Sequence, residues 1–493
     1  MKTFLNSLGI KALLFFLAFS LRVWHLFSLN YDWYGDSYHH WLISRLTMEN
    51  NFYYTDFKPK TMNLVWLPLY HYVSAFFMKL TGLVDLTIPH FISIFSGSIS
   101  CIIVFEISKT IYKKNWLGIL AALILAFQPW FIAINSLAIT ESLSIMLVLA
   151  SLYYYFKEKL IHCALASALG MLVRYENWIF SGLIFIIGLY ERKLKGLSLL
   201  TFLSGGILVF FSWSFWSFIN TGNPFEWILL QAKMNEIAVS WVIGKTKNYW
   251  DLFHYYDLIL RMSFGIFVIS IIMAIKEKNK FVKTLFLIMM IFLSYRSLEY
   301  FLNMDLGEER FIVILLPFMA ILAAPVLDHE KNFLKLKPKK KLLIGIGLLM
   351  LTIAPLMDQI WIFNKKSYTL HPEIRAGKWL NENYSDGKII CDSPTTIYYS
   401  NLRLDLFISS VHVLNELQDL NEVSIESYLI NNNIRYIVWL QSPYSNTWNI
   451  FRFLEDKETY KIRRIEFKLV YTDIGWEHDY GVPYVYIYEA NIS

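Results

Sequence analysis

Hydrophobic residues occur in long blocks separated by short polar junctions. A helix that crosses a bilayer needs ~20 mostly apolar residues, and block after block approaches that length. The pattern therefore predicts an α-helical polytopic membrane protein with about eleven transmembrane helices, of which the short ones between 160 and 190 could be tilted or partly re-entrant. The blocks lie at roughly 12–29, 86–109, 116–135, 139–156, 160–174, 177–190, 197–219, 257–275, 283–302, 310–328 and 342–362.

Lysine and arginine mark alternate junctions between the blocks. Examples are Lys113 with Lys114, Lys157 with Lys159, and the lysines of 335–341, whereas the opposite junctions are short and poor in both residue types. Positive residues accumulate on the cytoplasmic side of a membrane. We therefore predict a plasma-membrane protein with its N-terminus inside and its C-terminus outside. No small-residue cleavage site follows the first block, which predicts an uncleaved helix.

Two long segments lie outside the apolar blocks, and both are predicted on the extracytoplasmic face. The first, 30–85, contains two half-apolar stretches, 38–48 and 66–80, which predict helices lying along the membrane interface. The second, 364–493, is predicted as a small α/β domain, separate from a transmembrane module of 1–363. Its predicted elements are helices at 374–383 and 425–431 and strands at 388–391, 436–439 and 484–488.

Composition agrees with the block pattern and excludes some partners. Hydrophobic residues make up 56% of the chain and charged residues 17%, whereas soluble domains have about 45–50% and 25%. The net charge of +6 is spread over loops and does not form one basic face, so no nucleic-acid partner is predicted. Three cysteines cannot form a disulfide framework.

The densest polar cluster, 31–41, follows the first apolar block directly. Its Asp36 could act as a general base toward a hydroxyl, or could hold a divalent cation together with a histidine. An alternative is that Asp36 caps the helix that follows it. The adjacent His39 and His40 cannot share one helical face, which argues against a metal site built on both.

Several charged residues lie at the ends of apolar blocks, where charge is costly and usually functional. The predicted topology places all of them on the same membrane face as Asp36. An alternative is that they pair with one another only to tolerate burial, as Arg174 could with Glu141. Their convergence on one face favours a shared site. The residues are Glu141, Arg174, Glu176, Arg296, Glu299, Glu308, Glu309 and Arg310.

Acids and arginines at the outer leaflet suit a substrate with a phosphate head and a lipid tail. The planar fork of arginine matches phosphate geometry, and apolar helices could receive a prenyl chain. Because nucleotide sugars are cytoplasmic, a sugar-transferring enzyme that acts outside would need a lipid-linked donor.

An ordered set of motifs resembles the GT-C superfamily of polyprenyl-phosphate-dependent glycosyltransferases. Within it, the chain is most similar to the branch of protein O-mannosyltransferases and the aminoarabinose transferase of lipid A. Each motif is weak alone, but together they cover nearly the whole chain in the right order. The matching stretches are 35–42, 66–71, 140–142, 173–178, 309–317 and 377–383.

The resemblance implies an inverting transfer of a sugar from a polyprenyl-monophosphate donor to a hydroxyl of a protein, lipid or glycan. It implies that Asp36 is the catalytic base or orients the acceptor, and that Arg174 and Arg310 bind the donor phosphate. No cofactor is required, although a divalent cation stays open because related oligosaccharide transferases use one. The other predicted substrate-binding residues are Glu141, Glu176, Glu309, His39, His40, His71, Tyr175 and Arg296.

This sequence departs from the family at one point. The family often has an acidic pair in the first loop, whereas here Ser37 follows Asp36 and the other acid, Asp32, lies four residues earlier. A mechanism with two loop-one carboxylates is therefore in doubt.

Three other functions are compatible with the membrane pattern. An oligosaccharide polymerase or ligase would use a lipid-diphosphate carrier. A transporter of lipid-linked saccharides would carry polar residues at mid-bilayer in symmetry-related halves, which the sequence does not indicate. A membrane scaffold with a binding tail would leave the charged residues unexplained.

Overall fold

The computed structural model describes a helical bundle followed by a mixed sheet. The predicted last apolar block, 342–362, and the predicted domain boundary at 363 fall mainly outside the described residues and stay predictions. The described residues are 2–50, 65–242, 248–263, 265–326, 347, 350–353, 370–417, 419–441, 445–455, 457–473 and 485–492.

Most of the bundle helices fall within the apolar blocks. They are α1 (Lys2–Ser28), α2 (Gly35–Asn50), α3 (Leu69–Thr81), α4 (Thr87–Tyr112), α5 (Asn115–Ala126), α6 (Pro129–Ile134), α7 (Glu141–Phe156), α8 (Leu160–Met171), α9 (Glu176–Tyr190), α10 (Gly196–Thr221), α11 (Glu226–Val242), α12 (His254–Ser263), α13 (Ile266–Lys276), α14 (Lys280–Phe301) and α15 (Leu316–Ala323). A 3₁₀ helix, Glu309–Leu315, leads into α15.

Within the described ranges, four helices are long and apolar enough to cross a membrane. They are Leu8–Ser28, Thr87–Tyr112, Gly196–Thr221 and Lys280–Phe301. A bent pair, Tyr249–Ser263 with Ile266–Lys276, turns by 104° and could form a fifth, broken span. The predicted count of about eleven is not confirmed. The blocks at 139–156, 160–174 and 177–190 form helices of 16, 12 and 15 residues, shorter than the ~20 that a straight crossing needs.

The block at 116–135 is one apolar stretch but two helices. The side chain of Gln128 accepts a hydrogen bond from Phe131 N at 2.7 Å, which caps a new helix with Pro129 at its start. Proline fixes a helical φ at this position and lacks the N–H that would continue the previous helix. The Gln128 amide also donates to Met262 O at 2.6 Å, which ties the break to α12.

Both helices predicted in the first loop are present as α2 and α3, and they pack on each other. Much of α2 is buried, including polar residues such as Ser37 and Ser44. Two neighbours pack against the helix, namely α3 and the C-terminal helix Pro394–Ser400. The Tyr38 ring packs against those of Tyr398 and Tyr399, with centroids 5.4 and 5.7 Å away.

The C-terminal region contains a six-stranded sheet with strand order β2-β1-β3-β6-β5-β4. Strands β1, β2 and β3 are parallel, whereas β6 pairs antiparallel with both β3 and β5, and β5 with β4. The strands are β1 (Lys388–Ile390), β2 (Phe407–Ile408), β3 (Ile434–Leu440), β4 (Thr459–Ile462), β5 (Ile465–Asp473) and β6 (Val485–Ile492), and the helices are His371–Asn383, Pro394–Ser400, Ser410–Glu416, Glu422–Asn431 and Thr447–Ile450.

The predicted tail elements are all found, but the prediction was incomplete. The two predicted helices correspond to His371–Asn383 and Glu422–Asn431, and the three predicted strands correspond to β1, β3 and β6. Strands β2, β4 and β5 were missed. Leu370, at the start of this region, packs within 3.6 Å of where a Cβ on Gly35 would lie, so the domain meets the first turn of α2.

Candidate active site

Asp36 lies in the first turn of α2, and its carboxylate accepts a hydrogen bond from Nη1 of Arg310. The helix begins at Gly35, so Asp36 lies inside it and not at the capping position that precedes it. Its carboxylate pairs with Arg310. Burial alone would raise the pKa of Asp36, but the charge of Arg310 outweighs it and holds that pKa well below the ordinary value. Asp36 is therefore an ionised carboxylate whose side chain is 27% exposed.

Arg310 is the centre of an ion-pair network. Its Nε lies 2.6 Å from Oε2 of Glu308, and its Nη1 lies 3.8 Å from Oε1 of Glu141. The Tyr34 hydroxyl donates to the same Glu308 oxygen at 3.1 Å, and the Tyr34 ring lies 4.8 Å from the guanidinium carbon. Arg310 itself is only 10% exposed, so it contacts carboxylates from three separate parts of the chain with little water between them.

Arg174, in the turn before α9, extends the same network. It grips Glu176 with two bonds, Nη2 to Oε1 at 2.7 Å and Nε to Oε2 at 3.0 Å, the fork geometry that carboxylates favour. Its Nη1 donates to Oε1 of Glu141 at 2.8 Å and to Thr140 Oγ1 at 3.0 Å. Oε1 of Glu141 is thus shared by Arg174 and Arg310.

These contacts bring together residues that the sequence placed only on a common face. The pairing of Arg174 with Glu141, suggested as a purely structural alternative, does occur, but through Arg310 it is joined to Asp36. We call this group the loop-one charge cluster. Its members are Asp36, Glu141, Arg174, Glu176, Glu308 and Arg310.

Arg296, on α14, forms a neighbouring ion pair. Its Nη1 lies 2.6 Å from Glu299 and its Nη2 lies 2.5 Å from Asp305, which also accepts from the Tyr255 hydroxyl at 2.6 Å. Phe311 joins the two regions, and the sequence placed it in the matching stretch 309–317 but not among the site residues. The Phe311 ring centroid lies 4.6 Å from the guanidinium carbon of Arg296, and 5.0 and 5.7 Å from those of Arg310 and Arg174.

A ring that faces three guanidiniums is held by cation–π attraction and fixes their spacing. The only sequence signal for Phe311 is its place directly after Arg310. Its neighbour Glu309 begins the 3₁₀ helix and interacts electrostatically with His254.

His40 and His71 form a second predicted set that the fold brings together. Nδ1 of His40 lies 2.9 Å from Nε2 of His71, whose Nδ1 lies 3.2 Å from Leu67 O. Burial lowers the pKa of His71 to about 3 and that of His40 well below its ordinary value, so both rings are neutral. The His39 ring lies 5.5 Å from that of Trp66, which also lies 5.6 Å from the His40 ring.

Tyr175 lies in an aromatic cluster beside the charges. Its hydroxyl accepts from Trp213 Nε1 at 2.9 Å, and its ring stacks on Trp227 with centroids 5.3 Å apart and planes 4° apart. These contacts make Tyr175 part of the wall that positions Arg174 and Glu176.

Asp32 does not provide a second loop-one carboxylate. Its Oδ1 is bound by His90 Nε2 at 2.8 Å and its Oδ2 by Ala138 N at 3.1 Å, and its side chain is 2% exposed. The carboxylates that share Arg310 with Asp36 are instead Glu308 and Glu141. The acids that accompany Asp36 at Arg310 are thus distant from Asp36 in sequence and close to it in space. Across the described ranges, no three His, Cys, Asp or Glu side chains are grouped to hold a metal ion.

No protein-family model matches the chain, and no curated protein matches it in sequence. Solved structures match its fold. ArnT from Cupriavidus metallidurans bound to undecaprenyl phosphate superposes with a TM-score of 0.62 over 99% of this chain and 98% of that one, at 11% identity. The apo state of the same protein gives 0.55 over 92% and 93%, at 12% identity.

A second protein also matches. The archaeal oligosaccharyltransferase AglB from Archaeoglobus fulgidus, in complex with an inhibitory peptide and a dolichol-phosphate, gives a TM-score of 0.54 over 88% of this chain and 69% of that one, at 11% identity. At these identities the likeness establishes the fold. The chain has the fold of ArnT and AglB, which is the fold that its sequence motifs predicted.

Proposed function

We propose that this protein is a membrane glycosyltransferase that moves a sugar from a polyprenyl-monophosphate donor to a hydroxyl of a protein, lipid or glycan, with inversion at the anomeric carbon. The observation that carries the proposal is Arg310, which holds the candidate base Asp36 and a second acid, Glu308, on one buried guanidinium. The ArnT and AglB structures contain undecaprenyl phosphate and dolichol-phosphate, which supports a phosphate-linked lipid as the donor.

Arg310 and Arg174 suit the charge that develops during such a transfer. When the bond between the anomeric carbon and the phosphate oxygen breaks, negative charge grows on the leaving phosphate. Guanidiniums already fixed in a dry site stabilise that charge without reorganisation. Glu141 lies 2.8 Å from Arg174 and 3.8 Å from Arg310, so it keeps the two forks side by side.

The cluster contains four carboxylates and two guanidiniums, so an incoming phosphate must compete with acids already bound. Asp36 is the most exposed carboxylate of the cluster, at 27%, with Glu308 next at 24%, Glu176 at 14% and Glu141 at 4%. We expect the donor phosphate to take its place on Arg310. Once the phosphate occupies Arg310, the Asp36 carboxylate is free. Loss of the neighbouring positive charge raises the pKa of Asp36, so Asp36 is a stronger base when the donor is bound.

The transfer then follows from these positions. The acceptor hydroxyl oxygen attacks the anomeric carbon from the face opposite the phosphate, and its proton passes to Asp36. The new carbon–oxygen bond forms as the bond to phosphate breaks, and the polyprenyl phosphate leaves on Arg310 and Arg174. One displacement without a covalent sugar–enzyme intermediate inverts the anomeric centre.

The test is transfer of radiolabelled sugar from polyprenyl-phosphate mannose, glucose or aminoarabinose to cell-envelope extract. Wild type is compared with Asp36→Asn, which keeps the size of the side chain but cannot accept the proton. Loss of a general base costs about 10²–10⁴-fold in rate. The matched control is Asp257→Asn, an exposed acid paired within its own helix, which should transfer as wild type does.

Three results would contradict the proposal. Equal transfer by wild type and Asp36→Asn would remove Asp36 from the mechanism. If folded wild type used no monophosphate donor but transferred a glycan from a lipid-diphosphate carrier, the protein would be a ligase or polymerase. The likeness to an oligosaccharyltransferase keeps that alternative in view. If it moved lipid-linked saccharide across vesicles without any transfer, it would be a transporter.

A further inference from the structure

The mechanism above does not use the buried polar pair of His40 and His71. The two side chains belong to neighbouring helices, α2 and α3, and are 1% and 0% exposed. Both rings are surrounded by aromatic groups, with Trp66 and Tyr70 at 5.6 and 5.8 Å from His40. A buried imidazole pair that is not ionised must hydrogen-bond through a defined arrangement of protons.

The contacts of His71 fix that arrangement. Leu67 O can only accept, so Nδ1 of His71, 3.2 Å away, carries the proton and donates it. The other nitrogen of the neutral ring, Nε2, then has only a lone pair. Nδ1 of His40, 2.9 Å from that lone pair, must therefore be the donor of the pair. It follows that Nε2 of His40 has no proton and is a hydrogen-bond acceptor.

The His40 ring lies beside the loop-one charge cluster. Asp36 and His40 are four residues apart on α2, so they lie on the same face of the helix. The His40 ring interacts electrostatically with Asp36, which favours its protonation, and with Arg310, Arg174 and His71, which oppose it. Among the described residues, Nε2 of His40 has no hydrogen-bond partner, although the side chain is buried.

We propose that Nε2 of His40 accepts a hydrogen bond from a substrate hydroxyl, and that His71 is the positioning residue that keeps His40 in the required tautomer. The proposal rests on the proposed function for the identity of the substrate. A neutral acceptor beside a carboxylate recognises a hydroxyl and does not attract phosphate. The hydroxyl belongs either to the transferred sugar or to the acceptor, which carry the same chemistry.

The tautomer can be measured without any transfer, by nitrogen NMR of the full chain labelled with ¹⁵N-histidine in detergent micelles. Wild type should show two buried histidines protonated at Nδ1, and the His40→Gln variant identifies which signal is His40. In His71→Leu the His40 proton should leave Nδ1. In His71→Gln, whose amide can donate to Leu67 O and accept from His40, it should stay. A wild-type His40 protonated at Nε2 would overturn the proposal, whether or not the protein transfers sugar.

Kinetics test the hydroxyl. Loss of a neutral hydrogen bond should lower kcat/KM about 10-fold in His40→Phe and in His71→Leu, whereas His71→Gln should retain most of the activity. The control is His162→Gln, on an exposed face of α8. A purely structural role for His71 would predict that Gln and Leu fail alike, and that result would contradict the proposal.

Donors that lack single hydroxyls distinguish the two sources. If His40 binds the sugar, wild type should discriminate against one deoxy donor and His40→Phe should not. If it binds the acceptor, discrimination should disappear instead for an acceptor analogue. Unchanged discrimination in both series by His40→Phe would overturn the proposal. Absence of transfer from every donor would contradict the proposed function, and the NMR result would still decide the role of His71.

Discussion

The two ends of helix α9 carry two clusters of charge that differ in what they can do. Glu176 begins the helix within the loop-one charge cluster, and Glu191 follows its last residue, ~22 Å away at the rise of an α-helix. At that end the Glu191 carboxylate accepts from the Tyr155 hydroxyl at 2.8 Å and lies 3.0 and 3.3 Å from the Nζ atoms of Lys193 and Lys280. We call this group the Glu191 cluster.

In the Glu191 cluster one acid, 2% exposed, is matched by two ammonium groups, and one of those, Lys280, is 64% exposed. Lys193 also lies 4.6 Å from the Tyr155 ring centroid. Lysine is a compact point charge, whereas the arginine fork holds two oxygens in a defined geometry. The loop-one charge cluster has the opposite balance, with more acids than cations, and its most exposed acid, Asp36, is 27% exposed.

The comparison teaches that burial and ion pairing alone do not identify a site. Both clusters contain buried carboxylates with good partners. The Glu191 cluster joins helices and leaves no acid exposed, whereas the loop-one charge cluster spaces its arginines around Phe311 and keeps Asp36 partly exposed. Substitutions at the two ends should therefore separate activity from stability.

Arg310→Ala should have the largest combined effect on rate and stability. It leaves Asp36 and Glu308 without their cation, and we expect transfer to fall by about 10²–10³-fold and stability to fall by about 3–5 kcal/mol. Arg310→Lys keeps the charge but loses the fork, so it should remain folded and recover only part of the rate. Initial rates and thermal unfolding in detergent measure both. The matched change at the other end is Lys280→Ala, which should leave the rate within twofold; equal losses at both ends would break the comparison.

Glu141→Gln should come next. Glu141 shares one oxygen between Arg174 and Arg310, and an amide provides neither the charge nor a second acceptor of equal strength. We expect a loss of about 10-fold in kcat/KM, and a coupling energy of about 1–3 kcal/mol with Arg174→Gln in a double-mutant cycle. Additive effects would indicate that the two arginines act independently.

Glu191→Gln should affect stability alone. The amide that replaces the carboxylate loses the attraction of two lysines and accepts a weaker hydrogen bond from Tyr155. These losses should lower the free energy of unfolding by about 1–3 kcal/mol. The rate per folded molecule should not change, because no atom of this cluster reaches the other end of α9. Thermal unfolding and transfer rates are compared with Glu158→Gln, an exposed acid nearby. A rate loss at full folding would show that the two ends communicate.

Local patterns predicted the existence of elements better than their lengths. The apolar blocks are largely helical where the structure describes them. A chain segment inside a bilayer has no water to hydrogen-bond its backbone, and a helix satisfies the backbone groups within the segment. The break at Gln128 and Pro129 was missed although proline is visible in the sequence, because a block of apolar residues masks a capping signal. Strand β5 was missed because its alternation becomes a buried face only when β4 and β6 pair with it.

The sequence predicted which residues belong to the candidate site, but it did not predict which of them contact one another. Residue type and membrane face selected Asp36, Glu141, Arg174 and Arg310, all of which meet in the structure. Their pairing could not be predicted, because Asp36 and Arg310 are 274 positions apart. Phe311 lies in a matching stretch, but nothing in the sequence indicated that its ring would lie beside three guanidiniums.

The smallest effect we predict is a pH dependence at Asp36. Because Arg310 depresses the folded-state pKa, the ion pair contributes stability above the ordinary carboxyl pKa of about 4, and that contribution disappears as pH falls through the lower folded value. Asp36→Asn should therefore be less stable than wild type by about 1 kcal/mol at neutral pH.

The difference between Asp36→Asn and wild type should shrink as the pH is lowered below about 4, where unfolded carboxyls take up protons. Thermal unfolding of both proteins from pH 7 downward measures it, with Asp257→Asn as the control whose exposed pair should show almost no difference at any pH. If the gap between wild type and Asp36→Asn were constant with pH, Arg310 would not be holding Asp36 ionised. The exchange of Asp36 for a donor phosphate on Arg310 would then lose its electrostatic basis.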